Sequence, residues 1–336
     1  MSAGPADQSN ADWTREEALY MEHAERLIAS APIPVVLRKQ GRYGASRLML
    51  GHLLGSLELH CSLERGKLRI LYRKPWIIRL QQLANLIAEA VAMLGCRSLP
   101  PFYVNSGDKP SDTGTRPITV FGACAQAGHP VVAAPDFVFN GWPEARFLDF
   151  DGKVASLCEA SAAMPTHDLA FWTGQGGFPA RRALVEHASR HPDTIRAVDA
   201  QTTSHPSGTV YLGGFTTMEE QVAQYRYMID VEGSGYSGRL KLLLHAGRSV
   251  LVIDRPYQEF YFGDLEPFRH YVPVSRYSSN LAEQVDWLRS NPAREKEIVG
   301  EAREFARARL TRRAAVERWA RLLEQHAHAG GKLRSG

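Results

Sequence analysis

Cysteine is scarce and scattered in this chain. Its 336 residues hold four, Cys61, Cys96, Cys124 and Cys158, with no Cys-x-x-Cys pair among them. That excludes both the spacing of a zinc site and the density of a disulfide framework, and leaves four reduced thiols. A run of eighteen apolar residues is also missing. Met1 to Asn10 is polar and has neither the basic nor the apolar region of a signal peptide, so the expectation is a cytoplasmic protein. Charge of one sign is not in excess either. A formal net charge of +4 suits phosphate-bearing ligands or an anionic membrane face but falls short of a nucleic-acid-binding signature. What is present, 44% hydrophobic and 23% charged residues over a length that suits two ordinary domains, is a globular composition.

Residues 1–12 read as a disordered leader, and Trp13 to Ser30 as a peripheral helix. From Pro32 to Trp76, Arg38, Lys39, Arg42, Arg47, Arg65, Lys67, Arg69, Arg73 and Lys74 interleave with strand-like runs such as Leu68 to Tyr72. This stretch is either an anionic acceptor or lipid surface, or a solvated face with arginines paired to Glu58 and Glu64; charge runs are usually the latter. Ile77 to Leu94 carries Leu80, Leu83, Ala84, Ile87 and Val91 on one helical face, and Gly95 supplies a stop. Phe102 to Val104 then reads as a strand, and its loop presents Asp108 beyond the strand's carboxyl end, where α/β folds bind ligands. On spacing alone Asp108 is a turn residue. Between Pro135 and Glu144, Phe139 and Trp142 stand among Asp136 and Glu144. Rings that pack on pyranose C–H groups and carboxylates that bond its hydroxyls are the chemistry of sugar recognition, with core packing the equal alternative for the aromatics.

Ser161 to Asp168 is polar and contains a proline, and marks the expected domain boundary. Beyond it a strand, Leu169 to Trp172, runs into a glycine loop with Gly174 and Arg181 and then a helix. Arg196 to Gly214 reads as loop. The pattern of strand, glycine loop and helix recurs more densely from Arg226: a strand Tyr227 to Val231, a small-residue loop with Gly233, Ser234, Gly235 and Ser237, then Arg239 and a Leu240, Leu243, Leu244 stripe, then a strand Val250 to Ile253. Loop glycines let backbone N–H groups approach an anion, and a helix N-terminus adds positive potential. A cation at that end is better explained by an anionic ligand such as a diphosphate than by stability, a solvated arginine being the alternative. Helices from Asn280, Asn291 and Ala314 close the chain, without chemistry expected of His326 or His328.

Tyr227, Gly233, Ser237 and Arg239, then Gly247, Ser249 and Val250, then Glu259, Phe260 and Tyr261, then Leu265, Pro267, His270, Tyr271, Pro273 and Val274, with the Pro135 to Glu144 segment, resemble the motifs of glycosyltransferase family 90. That family comprises protein O-glucosyltransferases and capsule or lipopolysaccharide sugar transferases. The resemblance implies an α/β fold of the GT-B type, two Rossmann-like domains facing one cleft. Residues 13–165 would form the acceptor side, residues 166–305 the donor side, and residues 306–336 a bridging helix and tail. It implies an inverting glycosyltransferase that takes a sugar from a nucleotide diphosphate sugar, uridine-linked, to a glycan hydroxyl, with Asp108 as base. Gly174, Arg181, Gly233, Ser234, Gly235, Ser237, Arg239 and Glu259 would hold the donor, and Asp136, Phe139, Trp142 and Glu144 would lie on the acceptor side. In a bacterial host the acceptor would be lipopolysaccharide or capsule, lipid-linked, at the inner membrane face. One departure stands out: Thr173 occupies the place of the family's phosphate-binding Arg. No Asp-x-Asp motif stands where a donor-bound metal would be expected, so cations are expected to carry the diphosphate charge, with no metal and no cofactor. Two other classes remain, a non-catalytic nucleotide-sugar or glycan-binding homologue and a basic adaptor for membrane or nucleic acid.

Overall fold

The computed structural model describes residues 5–40, 58–73, 77–110, 119–205, 208–214 and 216–329. Arg42, Arg47 and Lys74 of the basic stretch, and residues 1–4 of the expected leader, lie outside them. The chain divides into two compact units, one of Glu16–Pro143, Tyr257–Phe260 and Arg312–Gly336, the other of Glu144–Pro256 and Tyr261–Thr311 with Met1–Arg15. The first contains a mixed sheet, the second an all-parallel one.

The chain opens with α1 (Pro5–Ala29), already helical within the stretch expected to be disordered. Strands β1 (Val35–Lys39), β2 (Glu58–Glu64) and β3 (Lys67–Tyr72) follow, then α2 (Ile77–Leu94), β4 (Leu99–Asn105), β5 (Val120–Gly122) and β6 (Val132–Ala133). The sheet order is β1-β3-β2-β4-β5-β6. Arg65 and Gly66, both at positive φ, join β2 to β3 as the tight turn whose twist suits an antiparallel pair. Leu59, Cys61 and Leu63 alternate into the core with Leu68 and Ile70 opposite them, while Lys67 and Arg69 face out. Arg69 approaches Glu64 at 3.9 Å. Glu58, however, is buried rather than on the solvated face expected for it. By length and composition α2 could cross a bilayer, yet two thirds of it is buried inside the protein, as in a core helix.

The parallel-sheet unit contains α3 (Phe150–Ala160), β7 (His167–Gly174), α4 (Pro179–Arg190), β8 (Ile195–Asp199), a hairpin of β9 (Gln201–His205) and β10 (Gly208–Gly213), α5 (Met218–Gln224), β11 (Tyr225–Asp230), α6 (Leu240–Leu243), β12 (Ser249–Ile253), β13 (Val272–Val274), α7 (Leu281–Ser290) and α8 (Pro292–Arg309). The region expected to be loop from Arg196 to Gly214 is therefore largely strand, because β8 finds a parallel partner in β7 and the next two segments pair with each other. The expected boundary at Ser161 to Asp168 is the turn between α3 and β7 together with the first two residues of β7. The division falls instead at Pro143/Glu144, since α3 packs on α5, where buried Lys153 meets Glu219 at 2.5 Å.

Apolar alternation on the sheet fixes its layers. Ala170, Trp172, Ile195, Tyr227, Ile229, Leu251 and Ile253 share a core with Ala180 and Leu184 of α4, Leu281 and Val285 of α7 and Ile298 of α8. The last helix, α9 (Arg312–Ala329), returns to the mixed-sheet unit. Its Arg312 makes a fork to both Glu89 oxygens on α2 and also donates to the side chains of Asn85 and Asn140. Trp319 donates to the Pro135 carbonyl, and His326 bonds Thr119 and Pro100, so these C-terminal side chains serve packing.

One buried histidine makes the parallel-sheet unit acid-sensitive. His245 bonds the Leu310 carbonyl through Nε2, and burial holds its pKa below the ordinary histidine value. The unfolded chain takes up that proton near pH ~6.5. Stability is therefore full above that pH and declines as pH falls toward the folded pKa. His187 and His270 are shifted the same way by burial. Unfolding in urea should show a smaller loss between pH 7 and 5.5 for His245→Gln than for the unaltered chain, by the share of one proton; equal losses would remove His245 from the account.

Candidate active site

In the parallel sheet the strand order is β13-β12-β11-β7-β8. Counted in chain order this is the doubly wound arrangement 2-1-3-4-5, in which the chain winds one way from β7 to β8 and the other way from β11 to β12. Where the direction reverses, the loops that follow β7 and β11 separate and leave a crevice beyond their carboxyl ends, the usual ligand position in such sheets. Both glycine loops singled out in the sequence stand there.

The loop after β7 is built on close approaches. A Cβ on Gly174 would lie 2.9 Å from the Trp172 ring, and one on Gly176 would lie 2.5 Å from the Asp199 carboxylate. Asp199, at the end of β8, accepts the Gly176 N–H at 2.6 Å. Arg181, in the first turn of α4, lies against the rings of Trp172 and Phe178. It donates from Nε to the Glu232 carbonyl and from Nη1 to the Gln175 carbonyl, each at 3.0 Å. The same guanidinium would sit 2.9 Å from a Cβ on Gly233, so glycine there is what lets the two loops meet.

The loop after β11 is fastened at its ends and open at its tip. Ser237 donates to buried Asp230 at 2.5 Å. Lys241, itself 1% exposed, donates to the Gly238 carbonyl at 3.2 Å with its ammonium over the Tyr236 ring. Among the described residues, the backbone N–H groups of Gly233, Ser234 and Gly235 meet no hydrogen-bond acceptor. None of the three residues is at positive φ, so they do not form the alternating backbone nest of a phosphate loop; they are three successive unpaired donors on a loop that buried or half-buried cations hold. The helix expected to reinforce it is short: α6 spans a single turn and has no macrodipole to speak of, so cations and loop amides carry the field. Arg239 is turned toward the strand ends, donating to the carbonyls of Thr173 at 3.1 Å and Ile229 at 3.2 Å. It closes the gap between β7 and β11 from beneath. Thr173 is 4% exposed and its hydroxyl donates to the Gly214 carbonyl at 2.8 Å.

Asp108 belongs to the other unit, in the turn after β4. Asn105 shapes that turn by accepting the Gly107 N–H. The carboxylate is 40% exposed and faces Arg79 of α2 at 3.4 Å; that guanidinium packs on Phe137 at 4.4 Å. Asp136 caps the 3-10 turn Phe137–Asn140 by accepting the Val138 N–H. Phe139, expected as a sugar platform, is 0% exposed and packs against Phe260, so it is core. Trp142 is half-buried, and its indole N–H is enclosed without a hydrogen-bond partner. Glu144 is grouped with the parallel-sheet unit, and buried Glu259 with the mixed-sheet unit. The chain's one Asp-x-Asp spacing, Asp149 and Asp151, is a helix cap in which Asp149 accepts the Asp151 and Gly152 N–H groups.

Sequence reasoning passed over Asp199, Asp230, Lys241 and Arg255. For Asp199, Asp230 and Arg255 the available signal was a charged residue at or just beyond the end of a strand, which in a parallel sheet marks the ligand edge; Lys241, within α6, carried no such signal.

The family model described as Glycosyl transferase family 90 matches residues 78–330, well over half of the chain. The chain belongs to that family. Protein O-glucosyltransferase 3 of Homo sapiens is 28% identical over 218 residues, 61% of this chain and 42% of the relative. O-glucosyltransferase rumi of Drosophila pseudoobscura pseudoobscura is 28% identical over 179 residues, 51% of this chain and 44% of the relative. The chain thus spans less than half the length of these curated relatives. Among solved structures, TarM aligns over 48% of this chain and 36% of its own at 12% identity and a TM-score of 0.32. A sucrose-phosphate synthase from Thermosynechococcus elongatus aligns over 53% and 43% at 15% identity and a TM-score of 0.31.

Two neighbouring glycines test the crevice. Gly176→Ala drives a methyl into the Asp199 carboxylate and is expected to cost about 1–3 kcal/mol of stability, the usual range for overpacking. Gly177→Ala meets nothing within 4 Å and should be near neutral. Chemical denaturation of both variants checks this; equal effects would mean that the Asp199 contact does not shape the loop.

Proposed function

We propose that this protein is an inverting, metal-independent glycosyltransferase of the GT-B type that uses a nucleotide diphosphate sugar. The observation that carries the reading is the switch-point crevice, where the open N–H groups of Gly233, Ser234 and Gly235 stand with Arg181 and Lys241 at the paired glycine loops. Unpaired loop donors together with cations suit a diphosphate leaving group, whose charge grows as the glycosidic bond breaks. Family membership supports the reaction class. The relatives' names make a glucosyl donor the first to try, and uridine and guanosine diphosphates the first bases.

In the proposed reaction the Asp108 carboxylate takes the proton of an acceptor hydroxyl. The hydroxyl oxygen attacks the anomeric carbon as the carbon–oxygen bond to the diphosphate breaks, and the electron pair leaves on the diphosphate with inversion. The acceptor is a glycan hydroxyl. A lipid-linked acceptor at an anionic membrane is the form that suits the exposed cations of β1 and β3.

Calorimetry with uridine and guanosine diphosphate sugars tests donor binding. Arg239→Ala removes the clamp on the Thr173 and Ile229 carbonyls and should weaken binding by about 1.5–3 kcal/mol; unchanged affinity in a folded variant would exclude it. A product assay tests the base. Asp108→Asn keeps shape and loses basicity, so turnover should fall by roughly 10²-fold or more with donor affinity retained, and the unaltered enzyme should keep its turnover in EDTA. Near-normal turnover of Asp108→Asn would move the base to another carboxylate. Loss of turnover in EDTA would return a metal to the mechanism.

A further inference from the structure

Asp230 and Arg255 form an ion pair in which both side chains are 0% exposed. Asp230 is the last residue of β11, and Arg255 lies two residues beyond the end of β12, the strand beside it. Charges so placed are costly to desolvate, and packing the strand ends needs only apolar side chains. What the pair adds is a fixed, doubly used carboxylate. One oxygen takes Arg255 Nη1 and the other takes the Ser237 hydroxyl, seven residues further along the chain. The Arg255 guanidinium is held in turn over the Phe262 ring, with 5.2 Å between its carbon and the ring centre.

The loop between Asp230 and Ser237 is thus drawn closed at its base. Arg181 holds its first limb through the Glu232 carbonyl, and Lys241 holds its exit through the Gly238 carbonyl. Between these points lie the open N–H groups of Gly233 to Gly235. Two glycines in three residues leave this limb little conformational preference of its own, so the direction of its N–H groups depends on how the ends are fixed.

We propose that Asp230 and Arg255 are positioning residues, a buried latch that sets the Gly233 to Gly235 amides for an anion by way of Ser237. This assigns Ser237 a different part from the direct donor contact first expected of it, since its hydroxyl is spent on Asp230. The ligand side of the proposal rests on the nucleotide-sugar reading, whereas the latch itself is a property of the free protein. Asp230 uses both oxygens, one for each partner: an amide in its place would offer one accepting oxygen only and leave Arg255 without its counter-charge.

The test uses the full chain. Hydrogen exchange of the peptide spanning residues 231–239, in the absence of any nucleotide, reads the latch. Calorimetry with uridine diphosphate and guanosine diphosphate reads the ligand. Ser237→Ala is expected to speed loop exchange about tenfold and weaken diphosphate binding by about the same factor, the loss expected for one hydrogen bond to a charged group. Ser237→Thr should restore both readouts. Asp230→Asn should act in the same direction and more strongly; if it does not fold, the two Ser237 variants still decide. Unchanged loop exchange in Ser237→Ala overturns the latch, and if affinity nevertheless falls, the hydroxyl is a ligand contact. If the unaltered chain binds neither diphosphate, the nucleotide-sugar reading fails while the exchange data still judge the latch.

Discussion

Strand β7 has β8 on one side and β11 on the other, and the character of the candidate site follows from that placement. Because all the strands of this sheet run one way, every loop that leaves a carboxyl end emerges on the same edge, and the reversal of winding between β7 and β11 parts two of them. Neither loop is held by its own residues. Asp199 fixes the first through Gly176, Asp230 fixes the second through Ser237, and Arg181 and Arg239 join the pair. Charged groups at strand ends would be expensive in the middle of the sheet. At this edge Asp199, Arg181 and Arg239 find backbone N–H groups and carbonyls left over by the ladder, and Asp230 finds Ser237 and Arg255, so each is able to place a loop.

Much of this was legible in the sequence because it is periodic. The apolar runs of β7, β11 and β12, the stripe of α2 and the glycine content of both loops announce strands, a core helix and a sharp return. The resemblance to a known family named the same loops, and the match over residues 78–330 agrees with it. Other features were hidden for physical reasons. Leu240, Leu243 and Leu244 have helical spacing, yet the helix ends after one turn because the chain turns back at Ala246 and Gly247, where φ is +68°. The hairpin of β9 and β10 pairs with itself and not with the large sheet, so it lacks the apolar run of a buried strand. Phe139 shows how an aromatic residue misleads: a ring near carboxylates reads as a sugar platform until the structure shows it at 0% exposure against Phe260.

The ion pair of Asp230 and Arg255 was the least legible element. Its partners are 25 residues apart and belong to neighbouring parallel strands, so the contact exists only once the crossover between β11 and β12 is made. The same is true of Asp108 and Arg79, which are 29 residues apart and meet because α2 and β4 lie in one unit. Sequence reveals the local loop and its glycines; the groups that aim the loop come from elsewhere in the chain.

Thr173 illustrates what this means for the departure from the family pattern. A long cationic side chain at the end of β7 would reach toward the crevice itself. Threonine cannot, and its hydroxyl is committed to the Gly214 carbonyl. Its own carbonyl meanwhile receives Arg239. The position therefore joins three segments: the end of β7, the residue after β10, and the start of α6. Positive charge is then left to Arg181 and Lys241, each held in place by carbonyls of the glycine loops themselves. A cation bound to the loop it serves moves with that loop, so in this chain the field at the crevice and the geometry of its amides are set together.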